Sequence, residues 1–185
     1  MGHRVCPWWL GYLLASPLRR LLQNPAVIVA PYVREGMTVL EPGPGMGFFT
    51  LEMARRVGPT GRVVAVDVQP RMIAGLKRRV VKAELASRVD ARVVQAESLG
   101  VQDLAGKVDF VLLMAVVHEM PNAARLFGEL AVAMRVGGNL LLAEPAGHVQ
   151  EDLFTAELKA AADAGFAVAD RPRIKRSLAA LLKKM

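Results

Sequence analysis

The stretch MTVLEPGPGMGFFT, residues 37–50, decides the fold. Its apolar start predicts a short strand, which ends at the acidic residue Glu41. Three glycines follow at alternate positions: Gly43, Gly45 and Gly47. Phe48 then opens a predicted helix. A strand, a glycine turn and a helix in this order form a ligand crevice at the carboxyl edge of an α/β sheet, where bare backbone approaches a ligand closely.

The spacing of the glycines excludes two common phosphate-binding loops. A dinucleotide loop has the pattern G-x-G-x-x-G, whereas the third glycine here comes one residue early. The pattern G-x-x-x-x-G-K-[ST] does not occur, which excludes a P-loop. Glu41 would repel a pyrophosphate at the helix N-terminus but would suit a cationic ligand. The loop therefore favours a ligand other than a dinucleotide.

A second acidic residue ends the next predicted strand. The β-branched run RVVAVD, residues 62–67, finishes at Asp67, which lies 20 residues beyond Gly47. A carboxylate in this place commonly binds ribose hydroxyls in nucleotide-type sites. Strand, glycine loop, helix, strand and terminal acid together indicate a site for a nucleoside-containing ligand.

The pattern E-x-G-x-G-x-G, from Glu41 to Gly47, resembles the first motif of class I S-adenosylmethionine (SAM) methyltransferases. Later segments resemble further motifs of this family and extend the match over about residues 35–145: a fourth strand with His118 downstream, and an R-x-G-G-x-L-L turn and strand. The general resemblance is to the methyltransferase type 11 group, which includes UbiE-like C-methyltransferases. It implies a SAM cofactor and S-adenosylhomocysteine as product.

The resemblance also implies where the cofactor is held. In the family the end of the third strand holds the adenine amino group. Gln95 here occupies the place of the usual Asp, and Glu97 follows two residues later, so either side chain is a candidate. The expected cofactor-binding residues are Glu41, Gly43, Gly45, Gly47, Asp67, Val68, Gln95, Ala96, Glu97 and Met114.

The chain has 185 residues, 53% of them hydrophobic and 22% charged, which fits one globular domain. We expect a Rossmann-like, doubly wound α/β fold with a seven-stranded, mostly parallel sheet. The last two strands, predicted at residues 166–169 and 178–182, would pair antiparallel at the sheet edge. Residues 1–34 are expected to form an N-terminal helical cap, and residues 35–185 the SAM-binding domain.

Two histidines are candidate general bases. His118 follows the fourth predicted strand and His148 follows the fifth, both at the carboxyl edge. A neutral imidazole there can take a proton from a hydroxyl or an amine. The alternative for each is a purely structural hydrogen bond. No helical i, i+4 pair of ligands supports a metal site, so no metal is expected.

The N-terminal segment is aromatic and apolar, with Trp8, Trp9 and Tyr12. These residues predict a helix packed on the core, a lid over the substrate site, or an amphipathic surface in peripheral contact with lipid. The apolar run is too short to span a bilayer. Because Cys6 is the single cysteine, the sequence fits a reducing cytoplasm, where we expect the protein to reside.

The acceptor is expected to be a small, lipophilic molecule admitted beneath the aromatic segment. The net charge of +7 gathers in residues 71–92 and 171–184, which favours a solvated helix face and a basic tail over a nucleic-acid surface. Two alternatives stay open: an RNA or protein methyltransferase guided by these clusters, and a SAM-binding protein without catalysis. The sequence leaves the acceptor, the methylated atom and the oligomeric state undetermined.

Overall fold

A computed structural model describes residues 23–185 of the chain. The predicted residues Trp8, Trp9 and Tyr12 lie outside this part. Within it the helices are α1 (Pro25–Val29), α2 (Thr50–Arg56), α3 (Pro70–Lys82), α4 (Ala123–Ala133) and α5 (Glu151–Asp163). The strands are β1 (Thr38–Pro42), β2 (Arg62–Asp67), β3 (Val89–Val93), β4 (Val108–Met114), β5 (Met134–Pro145), β6 (Phe166–Asp170) and β7 (Ser177–Lys184).

The seven strands form one sheet in the order β3-β2-β1-β4-β5-β7-β6. The pairs β1–β2, β2–β3 and β4–β5 are parallel, whereas β7 pairs antiparallel with both β5 and β6. The predicted seven-stranded α/β fold is therefore confirmed, including the antiparallel last strands. Among the described residues, no helix combines the length and the apolar character that crossing a membrane requires.

The chain forms two compact units, which meet in sequence between Gln95 and Ala96. In the first unit the parallel register pairs Glu41 of β1 with Ala65 of β2, so that both strands present their carboxyl ends at the same edge. The strand interiors are apolar and fully buried, as expected of a sheet covered by helices. The glycine loop and the end of β2 thereby become neighbours.

Helix α3 ends at Lys82. Glu84 has a φ of +59° and takes the place that glycine usually has after a helix. The amide of Leu85 donates to the Val80 carbonyl at 3.0 Å, and the buried Leu85 side chain covers the helix end. This Schellman motif ends the helix, although the residue with positive φ is not the glycine that usually marks such an end in a sequence.

In the second unit β5 is longer than the predicted residues 139–144, because it begins at Met134. The expected turn Arg135–Gly138 lies inside this strand as a bulge: the pairing jumps from Val108↔Met134 to Phe110↔Asn139. Arg135 Nε lies 2.6 Å from Asp109 Oδ1, which bridges the irregular pairing. The strand then runs straight to its carboxyl end, where Glu144 is fully buried.

Candidate functional site

The glycine loop after β1 keeps side chains out for two different reasons. All three glycines have positive φ, which other residues adopt at a cost: Gly43 +68°, Gly45 +55° and Gly47 +84°. A Cβ on Gly45 would have no atom within 4 Å, so this part of the loop is open. A Cβ on Gly47 would collide with Leu76 and lie 2.9 Å from Leu51. Gly45 thus leaves room beside the backbone, and Gly47 lets α2 and α3 close on the loop.

Glu41 is a buried carboxyl at the end of β1, with 4% of its surface exposed. Its Oε2 accepts a hydrogen bond of 2.5 Å from the Thr50 hydroxyl at the start of α2. Burial raises the pKa of Glu41 to about 7; the Thr50 hydrogen bond lowers it, and the negative charge of Asp67 raises it further. Near neutral pH the carboxyl is therefore poised between its neutral and charged forms.

Arg79 of α3 forms a hydrogen bond with the backbone of the glycine loop. The Nη1 atom of Arg79 donates to the Met46 carbonyl at 2.5 Å. Met46 also packs against Gly75, where a Cβ would lie 2.9 Å from its Cγ. Sequence analysis treated Arg79 only as part of a basic cluster, since nothing in its spacing indicates a bond to a carbonyl 33 residues away.

Asp67 ends β2 and is 9% exposed. Its Oδ1 accepts the backbone N–H of Gln69 at 2.9 Å, a local turn that fixes the carboxylate before α3 begins. Val68 beside it is half-buried. In the first unit the structure therefore brings together Glu41, the glycine loop and Asp67.

The remaining predicted cofactor residues are more exposed than Glu41 and Asp67. Gln95, Ala96 and Glu97 are exposed in the loop after β3, and Met114 is the half-buried last residue of β4. Within residues 23–185, neither Gln95 nor Glu97 forms a side-chain hydrogen bond. Which of them faces an adenine stays a prediction.

In the second unit His118 and Glu144 form a hydrogen-bonded pair. His118 lies in a 3-10 turn after β4, with 22% of its side chain exposed, and its Nδ1 contacts Glu144 Oε2. Because a carboxylate can only accept, Nδ1 carries the hydrogen and Nε2 keeps its lone pair when the ring is neutral. The hydrogen bond to Glu144 raises the pKa of His118, partly offset by burial, and the charges of Glu144, Glu119 and Glu157 raise it further.

Glu144 is held by the backbone as well as by His118. The amides of Val116 and Val117 both donate to its Oε1, at 3.1 and 2.8 Å. They converge because Ala115 has a φ of +57°, which turns the chain so that successive N–H groups face one anion. An alanine in this conformation costs roughly 1–2 kcal/mol. The strained backbone thus fixes the carboxylate that orients the imidazole.

Glu157 is a third ionisable group near this pair, and sequence analysis did not single it out. It lies on α5, is 3% exposed, and neither carboxyl oxygen has a hydrogen-bond partner in the described part of the chain. Burial and the charge of Glu144 raise its pKa to about 7, while His118 lowers it. Its position on the same helical face as the buried Phe154 and Ala161 is the signal that could have found it.

His148 differs from His118 in its surroundings. It is exposed in the turn after β5, and its backbone N–H donates to the Pro145 carbonyl at 2.9 Å. Its ring has no hydrogen bond or ion pair to any residue of 23–185. Over the same residues, no group of three histidine, cysteine, aspartate or glutamate side chains is arranged to hold a metal ion.

A seven-stranded α/β sheet with an acidic, glycine-rich loop after its first strand defines a class I SAM-dependent methyltransferase. Residues 33–177 match the family described as "Methyltransferase domain", and the chain belongs to this family. The chain therefore contains a methyltransferase domain of this class.

Two curated relatives give the chain a context. It is 33% identical over 121 residues to the arsenite methyltransferase of Halobacterium salinarum, covering 65% of this chain and 30% of that protein. It is 30% identical over 132 residues to the ubiquinone/menaquinone biosynthesis C-methyltransferase UbiE of Hydrogenovibrio crunogenus, covering 71% of this chain and 51% of that one. The chain thus spans about half, or less, of the length of these relatives.

One solved structure matches over nearly its whole length. The SAM-dependent methyltransferase from Aquifex aeolicus superposes with a TM-score of 0.85 at 23% identity, covering 97% of this chain and 98% of the other. At this identity the likeness shows the fold alone.

Proposed function

We propose that this methyltransferase acts on a small acceptor whose reacting atom carries a dissociable proton, such as a hydroxyl, and that His118 takes that proton. One observation carries the proposal: the buried Glu144 carboxylate binds Nδ1 of His118, so Nε2 is the nitrogen available to accept. A base oriented by a carboxylate serves an acceptor that must lose a proton, and adds little where the acceptor has none to lose.

The residues of the first unit fit a SAM molecule. SAM supplies an electrophilic methyl group on a positively charged sulfonium. A cation is stabilised by the charged form of Glu41, Asp67 can bind ribose hydroxyls, and Gly45 leaves open space beside the loop backbone. We propose that these three residues, with Gly43 and Gly47, hold the cofactor.

In this proposal, His118 takes the acceptor's proton and has no other role in the methyl transfer. The O–H bond of the acceptor would break as its hydrogen bonds to Nε2, and the electron pair left on oxygen would bond to the methyl carbon. The bond from that carbon to sulfur would break at the same time, and its electron pair would stay on sulfur in a neutral thioether, the leaving group. The Nδ1 hydrogen bond to Glu144 stabilises the imidazolium that results. Since the ring is partly exposed, it can return the proton to water after the transfer.

The names of two relatives are consistent with a small acceptor. The two proteins described above are named for arsenite and for ubiquinone or menaquinone, which are small molecules rather than RNA or protein. Because this chain is shorter than both, its own acceptor is a matter for experiment.

Two variants separate cofactor binding from proton removal. We expect Asp67→Ala to weaken SAM binding in calorimetric titration, and His118→Gln to bind SAM as the unmodified protein does. In methyl transfer to a panel of phenols, quinols and amines, His118→Gln should lose roughly 10²- to 10⁴-fold in rate on hydroxyl acceptors. His148→Gln, a histidine in the exposed turn, is the matched control and should keep full activity.

Full activity of His118→Gln on the preferred acceptor would reject His118 as the base. Unchanged SAM affinity of Asp67→Ala would reject the cofactor assignment. If RNA or protein is methylated and no small molecule tested is, the proposal is wrong. The basic clusters at residues 71–92 and 171–184 would then guide that substrate. Binding of SAM without transfer to any acceptor would support a non-catalytic protein.

A further inference from the structure

Glu157 occupies a place where an apolar side chain is expected. The buried residues of α5 are Phe154, Glu157 and Ala161, which recur at helical spacing and form the face turned to the interior. A carboxyl on such a face normally has a hydrogen-bond partner, because burying it without one is costly. Both oxygens of Glu157 lack a partner among residues 23–185. Packing alone does not account for this residue.

The ionisable neighbours of Glu157 are the two members of the His118–Glu144 pair. The negative charge of Glu144 raises the pKa of Glu157, and the positive charge of His118 lowers it. Reciprocally, the charge of Glu157 raises the pKa of His118. His118 and Glu157 therefore influence each other's protonation, and Glu144 raises the pKa of both.

Three charged residues on α4 and β6 have partners of their own. On α4, Arg125 Nε lies 3.4 Å from Glu129 Oε1, and Glu129 Oε2 accepts from the Leu99 amide at 2.8 Å. On β6, Asp170 Oδ1 accepts from the following backbone amide at 2.7 Å. Glu119, next to His118, raises the pKa of the imidazole as well.

We propose that Glu157 is a positioning residue that acts through His118: its carboxylate stabilises the imidazolium that forms when His118 has taken the acceptor's proton. This inference rests on the proposed role of His118. Glu157 itself forms and breaks no bond in the transfer. With Glu157 ionised, a proton arriving at Nε2 adds a positive charge near two negative ones, which makes the imidazole a stronger base.

The same arrangement assigns separate tasks to the two glutamates. Glu144 is bound by two backbone amides and by Nδ1, so it orients the ring. Glu157 has no such bond within residues 23–185 and contributes through its charge. Removing its charge should therefore change the basicity of His118 while leaving the ring where it is.

The test is an NMR titration of the imidazole C–H signals of the full-length protein and of Glu157→Gln. We expect the midpoint of His118 to fall to lower pH in Glu157→Gln, since a negative charge that raises the pKa of the imidazole is lost. His148 serves as an internal reference and should not move. Glu151→Gln removes an exposed carboxylate from the first turn of the same helix and should leave the His118 midpoint unchanged.

A second variant tests whether misfolding of Glu157→Gln, and not the loss of charge, changes the His118 midpoint. Glu157→Leu also removes the charge, restores an apolar side chain to the buried face, and should give the same shift of the His118 midpoint. If neither variant moves the midpoint, Glu157 does not act through His118 and the inference is wrong. An equal shift in Glu151→Gln would contradict it too, because the effect would then be general to acidic charge on α5.

Kinetics distinguish this failure from failure of the proposed function. The acidic limb of the pH–rate profile should move to lower pH in Glu157→Gln, together with the NMR midpoint. If the midpoint moves but His118→Gln retains full activity, the coupling stands and the role of His118 as base falls. If His118→Gln is inactive and the midpoint stays, His118 is the base and Glu157 is a bystander.

Discussion

Gly45 and Gly47 stand two residues apart in one loop, and different physical demands exclude a side chain from each. At Gly45 the surrounding space is open and only the positive φ opposes substitution. At Gly47 the positive φ is joined by contact with Leu76 and Leu51. The first position is thus suited to the approach of a ligand, and the second to the packing of helices.

A matched pair of substitutions separates these roles. Gly45→Ala should reduce the free energy of unfolding by about 1 kcal/mol, the cost of a left-handed alanine, and should weaken SAM binding. Gly47→Ala should cost more, about 2–4 kcal/mol, because overpacking adds to the strain. Chemical denaturation and SAM titration of both variants measure this. Equal destabilisation by the two would contradict the difference in packing.

At the scale of single residues the sequence predicted the acids and the glycines, but not their partners. Glu41 was recognised by its place after a strand, and its bond to Thr50 was not, since that bond depends on how α2 sits on the loop. Glu157 was not predicted as a site residue, because its proposed role depends on its burial and on the charges of His118 and Glu144. The sequence pattern indicates where a side chain lies along a strand or helix, whereas the tertiary packing determines which residues it contacts.

Helix α3 does more than connect two strands. Its Arg79 holds the Met46 carbonyl, and its Gly75 admits the Met46 side chain. The helix therefore fixes the glycine loop from outside the motif that the sequence displays.

This fastening can be tested with one pair of variants on α3. Arg79→Ala should leave the fold intact and weaken SAM binding by about 3- to 30-fold, the loss expected when one charge-assisted hydrogen bond, worth roughly 1–2 kcal/mol, no longer orders the loop. Lys77→Ala, an exposed cation on the same helix, is the control. Isothermal titration with SAM gives both affinities. A similar loss in the two variants would mean that general positive charge matters and the Met46 bond does not.

The existence of each described strand was predictable, whereas element ends were less so. The apolar runs of β1, β2 and β4 stand out because both faces of these strands are buried. The end of α3 at Lys82 depends on Glu84 adopting a conformation that glutamate rarely takes. The bulge at residues 135–138 looks like a turn because the same glycines serve both structures.

For the molecule as a whole, three groups give stability the same pH dependence. Glu41 and Glu157 have pKa values of about 7 in the folded chain against 4.5 when unperturbed. Between these values the folded state holds protons that the unfolded state has lost, so stability falls as pH rises. The raised pKa of His118 acts in the same direction: its contribution is full below 6.5 and is lost as pH rises through the folded value.

We therefore expect the free energy of unfolding to decrease by at least about 2 kcal/mol between pH 5.5 and pH 8. Urea denaturation at a series of pH values in constant ionic strength measures it. Glu41→Gln and Glu157→Gln should each flatten the curve, whereas Glu151→Gln should leave its slope unchanged. A stability that rises over this interval would show that these carboxyls are not buried as described.

The fold of the whole molecule was more predictable than its chemistry. Seven strands and their crossover helices follow from apolar runs separated by glycine turns, which many sequences satisfy in the same way. The acceptor depends on a few side chains around the reacting atom, and fold alone does not select it. This is why the sequence indicates the family while the substrate requires measurement.

The buried Glu41 has a consequence for successive turnovers. In the proposed site, a sulfonium cation beside a carboxyl whose pKa is about 7 would favour the ionised form, so SAM binding near neutral pH would release protons into the medium. The neutral thioether left by methyl transfer would allow the carboxyl to recover a proton. The product would then lack the electrostatic attraction that SAM has for this carboxyl, and exchange of product for SAM would depend on pH.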